Sequence, residues 1–140
     1  VARLSYTKGD KAKGNKNSER AWIILAGMTG RNMAFAPSWL QDSAKPNDVG
    51  NPVISEPNDS HFSDLENVKV GDAFSLESRD KRLMKYIVSD IFIVDETDNS
   101  AYQFSEETLL TLITCYPFSV NLSSANKTKR LIVQAKAVYN

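Results

Sequence analysis

With 140 residues, 41% of them hydrophobic, the chain is long enough for one domain around a buried core. Its 17 basic and 17 acidic side chains cancel, so no electrostatic footprint for nucleic acid follows. A helical membrane span needs roughly 20 apolar residues, far more than the strongest run, "AWIILAGM" at Ala21–Met28, and one His with one Cys can make neither an internal disulfide nor a typical zinc site.

The chain starts at Val1 without a methionine, which reads as a trimmed or processed start, as removal of a signal or anchor would leave. "TKGDKAKGNKNSER", Thr7 to Arg20, has no apolar period and reads as a solvated loop. "AWIILA", Ala21 to Ala26, reads as a buried strand. Gly27 and Gly30 follow without the Lys-Ser/Thr ending of a phosphate loop. "PSWLQDS" predicts a short helix with Pro37 in its first turn. After the turn "KPNDVGN", Pro52 to Ser55 is a short strand, which "EPNDSHF" interrupts. Ser63 and Glu66 have capping-box spacing, so "SDLENV" predicts one helical turn. "KVGDAFSLES" is a turn and then a strand. Leu83 to Val94 is a long β-branched and aromatic strand, and "DETDNSAYQFSEE" is an acidic loop.

"TLLTLITC", Thr108 to Cys115, is a strand with faces Leu109/Thr111/Ile113/Cys115 and Leu110/Leu112/Thr114. After the loop "YPFSVNLSSANKTK", "RLIVQAKAV" forms the last strand. Leu131, Val133, Ala135 and Ala137 share one of its faces, and Arg130 faces the other way. Seven or eight short strands with little helix predict an all-β barrel or sandwich in a single domain spanning residues 1–140.

The lone Cys115 has two readings. Buried cysteines are commonly inert packing. Against that, Cys115 ends a strand that Pro117 stops from continuing in a sheet interior, which puts the thiol at a rim open to substrates. Arg130 begins the next strand, expected to be the antiparallel neighbour. A guanidinium at that rim favours thiolate over thiol and donates to a developing oxyanion. Its other reading is a surface Arg closing "NKTKR".

Together these residues resemble the sortase family. Thr111-Leu112-Ile113-Thr114-Cys115 fits the signature Thr-Leu-x-Thr-Cys, and Arg130 in "KRLIVQA" fits the arginine of the last strand. "HFSDLENVKVGD", His61 to Asp72, is similar to the segment after the sortase histidine loop. "TCYPF" and "MAFAPS" resemble the branch of marine Gram-negative bacteria, the proteobacterial one. The resemblance covers nearly the whole chain from Trp22 onward. It implies a closed eight-stranded β-barrel with one or two short helices. It also implies a cysteine transpeptidase that cuts a Leu-Pro-x-Thr-Gly-like sorting signal after Thr, through a thioacyl intermediate resolved by an amine or by water. The implied partners are a protein bearing a C-terminal sorting signal and an amine acceptor in the cell envelope. A missing N-terminal anchor would hold the catalytic domain at the membrane, outside the cytoplasm. No cofactor or metal is implied.

By that resemblance Cys115 attacks, Arg130 stabilises the oxyanion, and a histidine moves the proton. The branch pattern at the histidine loop is Gly-His-Arg-Asp-Thr-His-Phe. Here "EPNDSHF" matches only its second half, and Pro57 stands at the usual histidine position. Either His61, four residues later, takes the acid–base role, or the partner is lost and the chain is a degenerate sortase domain that binds its peptide. The expected groove is walled by Asp95–Glu107 and Tyr116–Lys129. Ala101, Tyr102 and Phe104 are its apolar candidates, and Thr114 is a donor near the oxyanion through its backbone or hydroxyl.

Overall fold

Ala2, Leu4 and Tyr6 alternate with Arg3, Ser5 and Thr7, and the first three are buried while the others are not. That period of two makes the opening residues a strand, β1 (Ala2–Thr7), with one face in the core. β1 is not among the strands expected above, although the alternation signals it. A computed structural model of the chain describes residues 2–7, 20–26, 38–39, 43, 50–56, 63–103, 105–116 and 128–139. Its further strands are β2 (Arg20–Ala26), β3 (Ser38–Trp39), β4 (Val53–Glu56), β5 (Ala73–Ser78), β6 (Leu83–Asp95), β7 (Leu109–Tyr116) and β8 (Lys129–Val138). Two short 3-10 turns, Ser63–Asn67 and Ser100–Tyr102, are the helical elements among the described residues.

The protein is therefore all-β, a strongly curled sheet with almost no helix. Its strands run in the order β1-β2-β3-β4-β7-β8-β6-β5, and β5 pairs with β1. The β2/β3 and β4/β7 pairs are parallel and the rest antiparallel. The short helix expected around Pro37 does not form at Ser38–Trp39, which instead pairs with Leu25–Ala26 on one side and Ile54–Ser55 on the other. Sheet pairing satisfies this backbone, and Trp39 packs partly against the core, so tertiary contacts override a local helix signal.

Leu4, Ile24, Ile54, Phe74, Leu76, Tyr86, Leu110, Leu112 and Val133 fill the inside of the curl with almost no solvent exposure. The segment "KVGD" has a specific task there. Gly71 sits at φ +99°, which an L side chain rarely adopts, and turns the chain into β5. The buried Asp72 carboxylate then accepts from the Lys69 backbone N–H at 2.9 Å and from the Tyr6 hydroxyl at 2.7 Å. One carboxylate thus joins the turn before β5 to β1.

Asp72→Ala should remove the acceptor of the buried Tyr6 hydroxyl and of the part-buried Lys69 N–H and cost roughly 1–3 kcal/mol of stability. A urea unfolding series with an unchanged m-value checks this. A loss below about 0.5 kcal/mol would mean that water replaces the carboxylate.

Candidate active site

In β7 and β8 every second residue faces the inside of the curl: Leu110, Leu112, Leu131, Val133 and Ala135 all belong to the main core. The alternate residues form a second layer on the outer face. Register pairs Thr111 with Gln134, Ile113 with Ile132, and Cys115 with Arg130. Directly opposed residues in such pairs carry Cβ atoms about 4.5–5.5 Å apart. Cys115 and Arg130 therefore stand side by side on the outer face, on neighbouring strands, as the sequence reading expected.

β6 reaches this face only through an irregularity. Val88 pairs with Ala135 and Asp90 with Gln134, so Ser89 is an extra residue in the strand. Before it, Tyr86 and Val88 point into the core; after it, Phe92 and Val94 belong to the outer layer. A slip of one residue exchanges the faces. The bulge thus sets Phe92 opposite Ile132 and Val94 opposite Arg130.

The outer layer has an apolar floor and a polar edge. Val53, Ala101, Ile113 and Ile132 pack together in the buried floor, with Phe92 and Val94 against them. Burial of side chains of this size contributes about 1.5–3 kcal/mol each, enough to keep the floor fixed. At the edge farther from Cys115, Gln134 Nε2 donates to Thr111 Oγ1 at 3.2 Å, and Thr111 Oγ1 donates to Asn51 Oδ1. Asn51 Nδ2 donates in turn to the carbonyls of Ala101, at 2.9 Å, and Gln103, at 3.2 Å. This chain of buried and part-buried bonds fastens the β6–β7 connection over the floor. Asn51 and Gln134 went unmarked in the sequence reading, because nothing local in "KPNDVGN" or "RLIVQAKAV" links them.

The opposite, charged edge lies at the end of β6. Arg130 donates through one terminal nitrogen to the Lys129 carbonyl at 2.9 Å, and its other terminal nitrogen pairs with Glu96 Oε2 at 3.4 Å. The Arg130 side chain is 21% exposed and that of Glu96 43%. Beside them Lys129 meets Asp95 at 3.4 Å. The backbone N–H of Thr97 first, then its hydroxyl and Lys129, hold the Asp95 carboxyl below its ordinary range. The Ser100 backbone N–H does the same for Asp98. These Asx turns shape the acidic loop and lead into the 3-10 turn at Ser100–Tyr102.

One expectation needs correction. Cys115 is 1% exposed, not open at the rim. A strand that must end near Pro117 does not by itself leave its last positions uncovered, because exposure depends on what packs across them. Thr114 is fully buried and pairs with Leu131, a core residue, so its hydroxyl lies across the sheet from the thiol and only its backbone adjoins Cys115. Ala101 is part of the packed floor. Tyr102 lies in the second 3-10 turn. Phe104, Pro57 and His61 fall outside the described residues. β4 ends at Glu56, whose partner Thr114 immediately precedes Cys115, so the chain enters the expected histidine loop beside the thiol.

Among the described residues no group of three or more His, Cys, Asp or Glu side chains is placed to hold a metal ion, and no helix is long and apolar enough to cross a membrane.

The site is thus a thiol and a guanidinium paired on one face of a curled all-β sheet. The family is settled by comparison: the model of the sortase domain matches residues 16–138, and the chain belongs to the sortase family, whose members are cysteine transpeptidases. Among solved structures, a sortase D5 transpeptidase of Clostridium perfringens superposes with a TM-score of 0.80 at 19% identity, over 99% of this chain and 79% of that one. Sortase A of Corynebacterium diphtheriae gives 0.77 at 24% identity, over 100% and 62%. Sortase C1 of Streptococcus agalactiae gives 0.76 at 25%, over 99% and 67%. The chain thus spans between 62% and 79% of these relatives' lengths. The comparison with curated proteins gave no match.

Proposed function

We propose that the chain is the catalytic domain of an envelope cysteine transpeptidase, with Cys115 as nucleophile and Arg130 as oxyanion donor. The observation that carries this reading is the direct cross-strand pairing of Cys115 with Arg130 on the outer face, over an apolar floor. The substrate is a protein with a Leu-Pro-x-Thr-Gly-like signal. The Cys115 sulfur, as thiolate, adds to the Thr carbonyl carbon, and the guanidinium stabilises the oxyanion as it forms. Collapse breaks the Thr–Gly C–N bond, and the Gly amine leaves with a proton from an acid. An amine, or water, then attacks the thioester, returns the thiolate, and gives up a proton to a base. His61 is the histidine of the chain and is assigned that acid–base role.

Further parts of the reading rest on the sequence resemblance: the marine proteobacterial branch, the missing membrane anchor, and the location outside the cytoplasm. Closure of the sheet into an eight-stranded barrel is supported by the β5–β1 pairing. The substrate-binding wall is assigned to Ala101, Tyr102, Phe104 and the backbone of Thr114. The bonds from Asn51 to the Ala101 and Gln103 carbonyls, the first of them buried, support a fixed wall there.

A second reading has a specific observation behind it. Pro57 stands where the family histidine is expected, so the domain is instead a degenerate one that binds the signal without cutting it.

Mass spectrometry after mixing the protein with a Leu-Pro-x-Thr-Gly peptide tests the choice. A thioacyl adduct on Cys115 is the expected result; peptide binding without adduct or cleavage would favour the degenerate reading. Arg130→Ala should slow adduct formation roughly 10²- to 10³-fold, the usual loss with one oxyanion donor. It should cost at most about 1 kcal/mol of stability, because a partly exposed ion pair is worth little. Lys should substitute poorly, lacking the planar fork. An unchanged rate in a folded Arg130→Ala protein would remove Arg130 from the mechanism.

A further inference from the structure

We propose that Glu96 is the resting counterion of Arg130: it draws the guanidinium to the β6 side of the site, and the group must leave it to serve Cys115. This rests on the assignment of Cys115 and Arg130 above. Arg130 has a neighbour on each flank, Cys115 on β7 and Val94 on β6. Glu96 follows Val94 by two residues, so the parity set by the Ser89 bulge gives it the same face. It is the diagonal partner of Arg130, one step toward the rim and away from the thiol. One Arg130 terminal nitrogen reaches Glu96 on that side at 3.4 Å, while the other donates to the Lys129 carbonyl at 2.9 Å. The Glu96 backbone is itself fixed, its N–H donating to the Thr128 carbonyl at 2.8 Å. The backbone that carries the carboxylate is thus held in place beside Arg130, while the side chain is 43% exposed.

Its position sets its effect. A carboxylate on the guanidinium opposes the two services asked of Arg130, favouring thiolate at Cys115 and binding an oxyanion. A partly exposed pair at 3.4 Å is weak enough to be broken in each turnover. Glu96 is accordingly a positioning residue that acts through Arg130 and touches neither thiol nor peptide carbonyl.

The test is a double-mutant cycle read by the ultraviolet absorbance of the Cys115 thiolate in the folded protein at neutral pH, with Cys115→Ala as the blank, so that no reagent has to reach the buried sulfur. Glu96→Gln keeps the size and removes the charge. It should raise the ratio of thiolate to thiol about 2- to 5-fold, the range of a partly exposed ion pair. In the Arg130→Ala background the same substitution should change nothing. An equal rise in both backgrounds would mean that Glu96 acts by its charge alone, and no rise in either would mean that it does not restrain Arg130; each overturns the proposal. Peptide cleavage reports the transpeptidase reading separately. The expected thiolate pattern in a chain that never acylates keeps the role of Glu96 and removes that reading. A chain that acylates while Glu96→Gln leaves the thiolate unchanged does the reverse.

Discussion

Cys115→Ala is expected to abolish the thioacyl adduct and to lower peptide cleavage by roughly three orders of magnitude or more, because no other side chain supplies the covalent step. Cys115 is the chain's one cysteine, so an adduct at any thiol is an adduct at this one. The substitution removes one sulfur atom from a buried position, and a modest loss of stability of about 1 kcal/mol accompanies it. Activity and stability thus separate widely, and thermal unfolding of the variant beside its cleavage rate makes the comparison. Cleavage that survives in Cys115→Ala would exclude thiol catalysis. A much larger loss of stability, with no adduct in the parent chain, would return Cys115 to the role of a packing residue, which its 1% exposure on its own also suits.

The second large effect lies in the histidine loop. Replacing Glu56-Pro57-Asn58 by Gly-His-Arg is expected to raise cleavage roughly 10²- to 10⁴-fold, the range that a well-placed general acid–base contributes. Pro57 has no ionisable group, whereas the loop leaves β4 at Glu56, and Glu56 pairs with Thr114 next to the thiol. The restored imidazole would follow directly on position 56 in sequence. His61 stands in sequence at the other end of the loop, two residues before the 3-10 turn Ser63–Asn67, whose Leu65 is buried in the core.

His61→Ala in the unaltered chain completes the comparison. Abolished turnover there, with no gain from the restored loop, would assign the proton transfer to His61. A gain on restoration with no effect of His61→Ala would mark the chain as the degenerate form. A restored loop that stays inactive while Cys115 still acylates would mean that position 57 is not the family's histidine position.

Local sequence determined most strands and the composition of the site. The β-branched and aromatic runs at Leu83–Val94, Thr108–Cys115 and Arg130–Val138 became β6, β7 and β8 within a residue or so. Period-two alternation placed Leu131, Val133 and Ala135 opposite in sense to Arg130, because successive side chains on a strand must face opposite ways. The pairing of Cys115 with Arg130 followed from two consecutive strands meeting at one end. Where the sequence reading failed, the information was non-local. Ser38–Trp39 is a strand because β2 and β4 lie on either side of it, and no property of "PSWLQDS" reports those neighbours. The burial of Cys115 depends on what covers it, not on the strand that carries it. Asn51, Thr111 and Gln134 come from three strands or their approaches and meet only in the folded sheet. The bulge at Ser89 is the clearest case. The run Leu83–Val94 reads as one uninterrupted strand, yet the extra residue exchanges its faces midway and delivers Phe92, Val94 and Glu96 to the side that holds Cys115 and Arg130. A change of phase is defined only against a partner strand, so the tertiary pairing of β6 with β8, and not the sequence of β6, decided which acid stands beside the arginine.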